Sequence, residues 1–528
     1  MLTLHNLTYI HPNRDLLFKN INLTVNKHNK TALIGNNGIG KSTLLSIIAG
    51  NLPPSSGSIN TDSIPYYIPQ IFGQFNDYTI AQALRIEGKL HALNEILEGN
   101  ANDTNLAILD DDWSIEQRCE EVFEHWQLED LDLTQKMVSL SGGQKTKVFL
   151  AGINIHQPEL ILMDEPSNHL DSISRNILYD FVQSTSSTLM VVSHDRKLLN
   201  MLNSVYELSK RGITVYGGNY DFYVEQKAIE NNALHEGIRN KEKALRKAKE
   251  IERETVERKM KLDARGKQKK INEGMPKVMM KKLKNNAEKS TARIKDTHDE
   301  KIGTISQELS ELRNEVPDID KMKFGFGNST LHKGKILIEA KDINFGYEEK
   351  MLWEQPLSIT ITSGERIVIK GSNGSGKTTL VKLFLGELEP KEGIIHNAIS
   401  NAVYIDQDYS LIDNNLTVYE QSQRFNSTAL EEYEIKIRLH RFLFTKDYWD
   451  KPCSTLSGGE KMRLMLCCLT ISNKAPDLII FDEPTNNLDI QNVTILTAAI
   501  NDYQGTLIVI SHDEYFLEQV NVKRIIYL

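Results

Sequence analysis

The sequence predicts an α/β fold built twice, the two copies joined by a long helical hairpin. Three observations predict it. One set of short motifs occurs twice in the same order, apolar runs feed the glycine-rich loop of each copy, and a long Lys/Arg-rich segment separates the copies.

The first glycine-rich loop is Gly35-Asn36-Asn37-Gly38-Ile39-Gly40-Lys41-Ser42 and the second is Gly371-Ser372-Asn373-Gly374-Ser375-Gly376-Lys377-Thr378. Each is followed by Leu-Ser-Gly-Gly (Leu140 to Gly143, Leu456 to Gly459), by an apolar run ending in Asp164-Glu165 or Asp482-Glu483, and by Ser193-His194-Asp195 or Ser511-His512-Asp513. Gly35 and Gly371 are 336 residues apart, Gln70 and Gln407 are 337, Ser141 and Ser457 are 316, and both Asp164/Asp482 and His194/His512 are 318. The offset drops by about twenty residues between Gln70 and Leu140, so the first copy carries extra chain there. This is duplication with one insertion.

Thr31-Ala32-Leu33-Ile34 and Ile367-Val368-Ile369 read as strands entering the loops, with helices starting at Lys41 and Lys377. Leu160 to Met163 and Leu478 to Phe481 are apolar without alternation, as in buried parallel strands. Strand, loop, helix and strand in that order argue a sheet covered by helices on both faces. The expected boundaries are 1–216 for the first copy, with an acidic insertion at about 85–133, 217–330 for the hairpin and 331–528 for the second copy.

At 528 residues, 40% apolar and 25% charged, the chain has room for two or three ordinary globular cores. No apolar stretch approaches the ~20 residues that span a bilayer. The start reads as a strand (Leu2-Thr3-Leu4) rather than a basic head with an apolar core. Cys119, Cys453, Cys467 and Cys468 have no metal-ligand spacing and are expected as reduced, partly buried thiols in a cytoplasmic protein.

The net charge of −9 conceals an asymmetry: residues 258–295 hold 14 Lys or Arg against Asp263, Glu273 and Glu288, which is +11 there and −20 elsewhere. Such a concentration suits a polyanionic partner. The segment 85–133 is the reverse, with 14 acidic residues against Arg85, Lys89 and Arg118. It reads as a solvated helical arm, or else as a docking surface for a basic protein. Within about 222–318, Ile302, Ile305, Leu309, Leu312 and Val316 are spaced 3, 4, 3, 4, and Ile238, Leu245, Ala248 and Ile251 give a looser stripe. Gly274-Met275-Pro276 marks the tip, and a helix over 236–273 of roughly 57 Å should project. Met275, Met279 and Met280 either pack the turn or offer adaptable apolar contact to bases or a crevice.

A glycine loop at a helix N-terminus turns consecutive N–H groups toward phosphates. The candidate phosphate-binding residues are Gly35, Asn36, Asn37, Gly38, Gly40, Lys41, Ser42 and Thr43, and Gly371, Ser372, Asn373, Gly374, Gly376, Lys377, Thr378 and Thr379. The Ser42 and Thr378 hydroxyls, the Asp164 and Asp482 carboxylates, and Gln70 and Gln407 suit Mg²⁺ directly or through water. Glu165 and Glu483 are placed to polarise the attacking water. A bare Ser-His-Asp triplet is not a protease triad, because adjacent residues cannot adopt that geometry.

Leu-Ser-Gly-Gly-Gln/Glu between these two motifs resembles the signature of ATP-binding-cassette proteins. The resemblance implies two tandem cassettes of the P-loop NTPase fold, packed head to tail, that bind ATP and hydrolyse it. ATP at Lys41 would be completed by Ser457, Gly458, Gly459 and Glu460, and ATP at Lys377 by Ser141, Gly142, Gly143 and Gln144. His194 and His512 resemble switch histidines that contact the γ-phosphate, and Asp171 and Asp489 match a loop that couples the sites. Tyr347 would stack on adenine. Its counterpart His11 stacks less well, so the first site is expected to bind ATP more weakly.

Glu165-Pro166-Ser167-Asn168-His169-Leu170-Asp171, Glu483-Pro484-Thr485-Asn486-Asn487-Leu488-Asp489 and Tyr216-Gly217-Gly218-Asn219-Tyr220-Asp221-Phe222-Tyr223 are similar to the ABC-F subfamily. That resemblance implies a soluble, monomeric, two-cassette ATPase acting on ribosomes, its linker meeting ribosomal RNA and tRNA near the peptidyl-transferase centre. It implies either antibiotic resistance by ribosome protection, which the long methionine-tipped hairpin favours, or a housekeeping translation role. Departures from the pattern, Asn487 opposite His169 and Glu460 opposite Gln144, remove no catalytic group. A C-terminal extension known in some members is expected to be absent after Leu528. An energy-coupling transporter subunit and a DNA-associated ATPase are the rival readings.

Overall fold

The computed structural model describes residues 1–12, 14–209, 211–272, 277–316, 322, 332, 334–347, 350–372, 374–427, 429–472, 475–486 and 488–528, with side chains at all of these except 263, 266–272, 277–291, 294, 314 and 315. It divides into two compact units, Met1–Tyr223 with Lys323–Leu528, and Val224–Met322.

In the first unit each half has its own parallel sheet. The first half orders its strands Tyr66–Ile68, Leu160–Asp164, Thr188–Val192, Lys30–Ile34, Ser204–Ser209 and Gly212–Tyr216, parallel except for the last pair. The second orders Ala402–Ile405, Leu478–Asp482, Thr506–Ile510, Arg366–Lys370 and Arg524–Tyr527, all parallel. Each half adds a three-stranded antiparallel sheet, centred on Leu2–Ile10 and on Ile336–Asn344.

Strand residues alternate between the two faces of a sheet. In the first half Leu33, Leu162 and Met190 join the antiparallel sheet and helix Lys41–Ile48 in one core, while Ala32, Ile161, Met163 and Val191 join the other helices. Both faces are therefore covered, as the unbroken apolar runs require. Asp164 pairs with Val192 and Asp482 with Ile510, at the carboxyl ends of their strands. Open α/β sheets bind ligands at that edge.

The insertion can be placed by matching landmarks. Thr79 and Thr417 each open a helix with a reciprocal side-chain cap, and each bridges to the chain ahead of Leu-Ser-Gly-Gly, at Lys136 and Pro452. Helix Ile115–His125 ends on buried Trp126, as Glu432–Arg441 ends on buried Phe442 at the same 316 offset. The surplus is thus the helix pair Glu87–Leu97 and Asp103–Leu109. The acidic segment differs from a freely solvated arm: Leu93, Leu109, Ile115, Cys119, Phe123, Trp126 and Leu128 all enter the core of the first half. Its acidic residues lie on the outer faces of helices whose inner stripes are apolar.

The second unit is a pair of long helices, Tyr220–Asn272, about 80 Å at 1.5 Å per residue, and Lys277–Glu315. Ala248 and Leu309 are buried, with Ile238, Leu245, Ile302, Ile305 and Leu312 half-buried around them. Lys241 to Glu308 at 2.5 Å and Arg313 to Glu242 at 2.6 Å tie the helices in antiparallel register. Arg258, Lys261, Arg265, Arg293 and Lys295 are exposed. The predicted tip Gly274-Met275-Pro276 and the side chains of Met279 and Met280 lie outside the described residues.

Candidate active site

Strand Lys30–Ile34 delivers the first loop and helix Lys41–Ile48 takes it up, with Gly40 (φ 105°) as its N-cap. A Cβ at Gly40 would also stand 2.8 Å from Leu17, so conformation and space both demand glycine. Gly376 (φ 91°) does the same ahead of helix Lys377–Leu385. Lys41 Nζ donates to Gly35 O (2.7 Å) and Asn36 O (3.3 Å), and Lys377 Nζ to Gly371 O (2.8 Å) and Ser372 O (2.9 Å). Each ammonium therefore sits inside its own loop, where burial pulls its pKa down and the nearby carboxylates Glu165 or Glu483 push it back up. Asn373 lies outside the described residues.

The acidic pairs follow. Asp164 and Glu165 are buried, and Glu165 adopts the left-handed region (φ 52°), as does Glu483 (φ 47°). The Glu165 N–H donates to Val192 O and the Glu483 N–H to Ile510 O, both at 2.8 Å, which fixes these strained residues to the neighbouring strand. His194 N–H donates to Glu165 Oε2 at 3.2 Å, and His194 Nε2 lies 3.1 Å from Glu165 Oε1. At the second site His512 Nε2 is 3.6 Å from Glu483 Oε1. Neither of these ring approaches is a hydrogen bond, and Glu165 Oε1 and His512 Nε2 are buried without one.

Burial governs the charges. It raises Glu165 to about 8 and lowers His194 to about 3, so the closeness of the two is that of a protonated carboxyl and a neutral ring rather than an ion pair. Glu483 is raised to about 7 and His512 lowered to about 4 by the same desolvation. Asp164 is raised to about 6, against the pull of Ser42 and Lys41. Asp482 is also raised by burial, while its Oδ2 accepts from Tyr404 OH (2.8 Å) and Thr378 Oγ1 (3.3 Å).

Tyr404 and its counterpart Tyr67, which stands beside Asp164, are residues that sequence reasoning missed. The available signal was their shared place three residues before Gln407 and Gln70. Arg175 was missed too. It lies on helix Ser172–Ser184, is 9% exposed, and bears electrostatically on Glu483 and His512.

The two halves meet at these sites. Asp489 Oδ2 accepts the Asn37 N–H of the first loop at 2.9 Å, while Asp489 Oδ1 caps helix Ile490–Asp502 through Asn492 N at 2.7 Å. Asp171 likewise caps its own helix, and Ser172 Oγ meets His512 Nδ1 at 2.9 Å. Ser141 and Ser457 begin the helices Gly142–His156 and Gly458–Ile471, each with a reciprocal cap from Gln144 or Glu460. A cleft of about 280 Å³ brings Ser141, Gly142 and Gly143 of the first half together with Gln407, Glu483 and His512 of the second. Tyr347 is 59% exposed with its hydroxyl 3.2 Å from Thr379 Oγ1, and His11 packs edge-on against Tyr9 at 5.5 Å. Gln70 is half-buried, and Asn487 lies outside the described residues.

The family described as ABC transporter matches residues 18–168 and 355–486, more than half of the chain. The chain is 30% identical over 546 residues to ABC transporter F family member 5 of Arabidopsis thaliana, across 97% of this chain and 72% of that one. It belongs to the ABC-F family. The uncharacterized ABC transporter ATP-binding protein YfmM of Bacillus subtilis (strain 168) is 28% identical across 95% of this chain and 93% of its own. The ATP-binding protein Uup of Escherichia coli (strain K12) is 29% identical across 95% and 76%. Among solved structures, the archaeal ribosome recycling factor aABCE1, crystallised with the ribosomal stalk protein aP1, superposes with a TM-score of 0.60 at 19% identity over 99% of this chain and 87% of its own, a likeness of fold.

This ABC-F chain is an ATPase with two P-loop cassettes joined by a helical insertion. No helix among the described residues is long and apolar enough to cross a membrane. The residues present fit a divalent cation beside ATP. Asp164 Oδ1 and Oδ2 are both buried without a hydrogen bond, and a hydroxyl (Ser42) stands next to them. Such a set of oxygens suits Mg²⁺, whose remaining ligands are water and phosphate oxygens. All four cysteines are buried.

Proposed function

We propose that the chain binds ribosomes in its ATP-bound form and releases them after hydrolysis at two composite sites, with its hairpin meeting ribosomal RNA and tRNA near the peptidyl-transferase region. The reading extends to antibiotic resistance by ribosome protection. The observation that carries it is the placing of five exposed cations, Arg258, Lys261, Arg265, Arg293 and Lys295, on a two-helix insertion between the cassettes, within a segment of +11 net charge. Cations on a long helical pair suit phosphate backbones, which position a protein without reading sequence. The solved archaeal recycling factor with a ribosomal stalk protein offers a parallel in use for the same tandem architecture.

In this reading the loops around Lys41 and Lys377 cradle the phosphates, and Ser42, Gln70 and Asp164, or Thr378, Gln407 and Asp482, hold Mg²⁺. Bound Mg²⁺ would neutralise developing phosphate charge. Glu165 and Glu483 polarise the attacking water, and His194 and His512 contact the γ-phosphate. Each site is completed by the opposite signature, Ser457 to Glu460 or Ser141 to Gln144. Tyr347 stacks on the adenine. The chain works as a monomer in the cytoplasm, divided at 1–216, 217–330 and 331–528.

The test uses the Glu165→Gln, Glu483→Gln double variant, which retains ATP. Co-sedimentation with ribosomes in ATP, lost at high salt or on deleting 258–295, is the expected result. An absence of capture under every nucleotide condition overturns the reading and turns the search to membrane or DNA partners. A second arm expresses the wild type in a susceptible bacterium. Raised minimum inhibitory concentrations for ribosome-targeting drugs support protection, and unchanged ones remove it.

A further inference from the structure

We propose that Arg175 is a positioning residue that the first cassette contributes across the interface to the second ATP site, where its charge faces the Glu483 carboxylate and the His512 ring across a shared cleft, and that the equivalent position of the second cassette supplies no such cation to the first site. The proposal rests on the reading of Glu165 and Glu483 as the residues that polarise water, and not on ribosome binding.

Arg175 is buried on helix Ser172–Ser184, where a free guanidinium would be costly. Its Nε donates to Leu170 O at 3.1 Å, the only hydrogen bond it makes among the described residues. That bond anchors the planar group and leaves both terminal nitrogens available to an anion. The guanidinium lines the cleft that also holds Gln407, Glu483 and His512. One turn back on the same helix, Ser172 Oγ meets His512 Nδ1 at 2.9 Å, which registers the helix against the second site. Of the favourable charges acting on Glu483, Arg175 is the largest, ahead of Lys377 of the second loop itself.

The duplication supplies an internal control. At the constant offset of 318 the position equivalent to Arg175 is Val493, a buried apolar residue on helix Ile490–Asp502. The favourable charge acting on Glu165 is Lys41 of its own loop. Both sites carry the same Lys, Asp, Glu and His, yet the position equivalent to Arg175 offers the first site an apolar side chain instead of a cation. A planar, permanently charged fork fixes a carboxylate in one orientation where a valine cannot. Misorientation of a water-activating group lowers turnover more than binding.

The experiment measures ATPase kinetics of the full chain, without ribosomes, in two backgrounds. Glu165→Gln leaves the second site to hydrolyse, and Glu483→Gln leaves the first. Into each go Arg175→Gln, which keeps a polar hydrogen-bonding end without charge on a shorter side chain, and Arg175→Lys, which keeps charge. The expected result with Glu165→Gln is a kcat loss of about tenfold for Gln, KM for ATP changed less than about threefold, and partial recovery with Lys. The loss with Glu483→Gln is at least about fivefold smaller. Equal losses in both backgrounds, a change confined to KM, or equal failure of Gln and Lys overturns the assignment. If Arg175→Gln lowers the melting temperature, Arg175→Met, which keeps the packed stem, makes the same comparison. If neither glutamate variant lowers turnover, the carboxylate reading and this assignment fall together. If both do, an unequal response to Arg175 isolates the assignment.

Discussion

Asp489 of the second cassette accepts the backbone N–H of Asn37 in the phosphate loop of the first, 2.9 Å away, with one carboxylate oxygen while the other caps its own helix. Asp489→Asn separates the two duties. Its carbonyl can still cap, because Asn is as good an N-cap as Asp, but its amide would face the Asn37 N–H donor to donor. Melting should stay within a degree or two, while turnover of the first site, read with Glu483→Gln, falls about tenfold. Asp489→Ala should lose both duties and about 1 kcal/mol of stability.

Each loop lysine is held by carbonyls of its own loop, Lys41 by Gly35 and Asn36, and Lys377 by Gly371 and Ser372. Removing one should disable one site and spare the other loop. Calorimetric titration of Lys41→Ala or Lys377→Ala with a non-hydrolysable ATP analogue should give half the wild-type stoichiometry. An undiminished stoichiometry would remove the lysines from phosphate binding.

The raised carboxyls predict how nucleotide-free protein responds to pH. Glu165 at about 8 and Glu483 at about 7 both exceed the ordinary 4.5, so their contribution to stability is fully present below about 4.5 and is lost as pH rises through 7 to 8. His194 and His512, depressed to about 3 and 4, act oppositely, but only as pH falls below 6.5. Between pH 6.5 and 8.5 the carboxyls are left to dominate, and melting temperature should drop by a few degrees. The Glu165→Gln, Glu483→Gln variant should show a flatter profile over that range.

Exposed hairpin cations should set the salt dependence of any ribosome binding. Replacing Arg258, Lys261, Arg265, Arg293 and Lys295 one by one with Ala should lower the slope of log K against log salt by up to about one for each side chain that neutralises a phosphate. An unchanged slope in the five-fold variant would take these residues out of the interface.

Trp126 is completely buried and its indole N–H donates to Asn154 Oδ1 at 3.2 Å. Trp126→Ala should cost about 3–5 kcal/mol, seen in denaturant unfolding of the first unit.

Much of the fold was legible because the deciding patterns are local. Unbroken apolar runs marked Leu160–Asp164 and Leu478–Asp482, and the glycine loops marked where helices Lys41–Ile48 and Lys377–Leu385 begin. Arg175 was not legible, since an arginine on an amphipathic helix usually faces water, whereas this one is buried by tertiary packing. The acidic segment misled for a related reason. Its charge count hid the i, i+4, i+8 stripe of Ile115, Cys119 and Phe123, which packs inward. Tyr67 and Tyr404 needed the third dimension to bring their hydroxyls to the carboxylates of Asp164 and Asp482, 97 and 78 residues away in the chain.

The left-handed backbone at Glu165 and Glu483 sets stability against use at the same two positions. A glycine there would relax about 1–3 kcal/mol of strain and remove a buried acid, so, with these acids polarising the attacking water as proposed, the sturdiest version of this fold would be one that does not hydrolyse ATP. Selection for heat resistance alone would erode these positions first. A screen for thermal tolerance that ignores ATPase activity should therefore return substitutions at both.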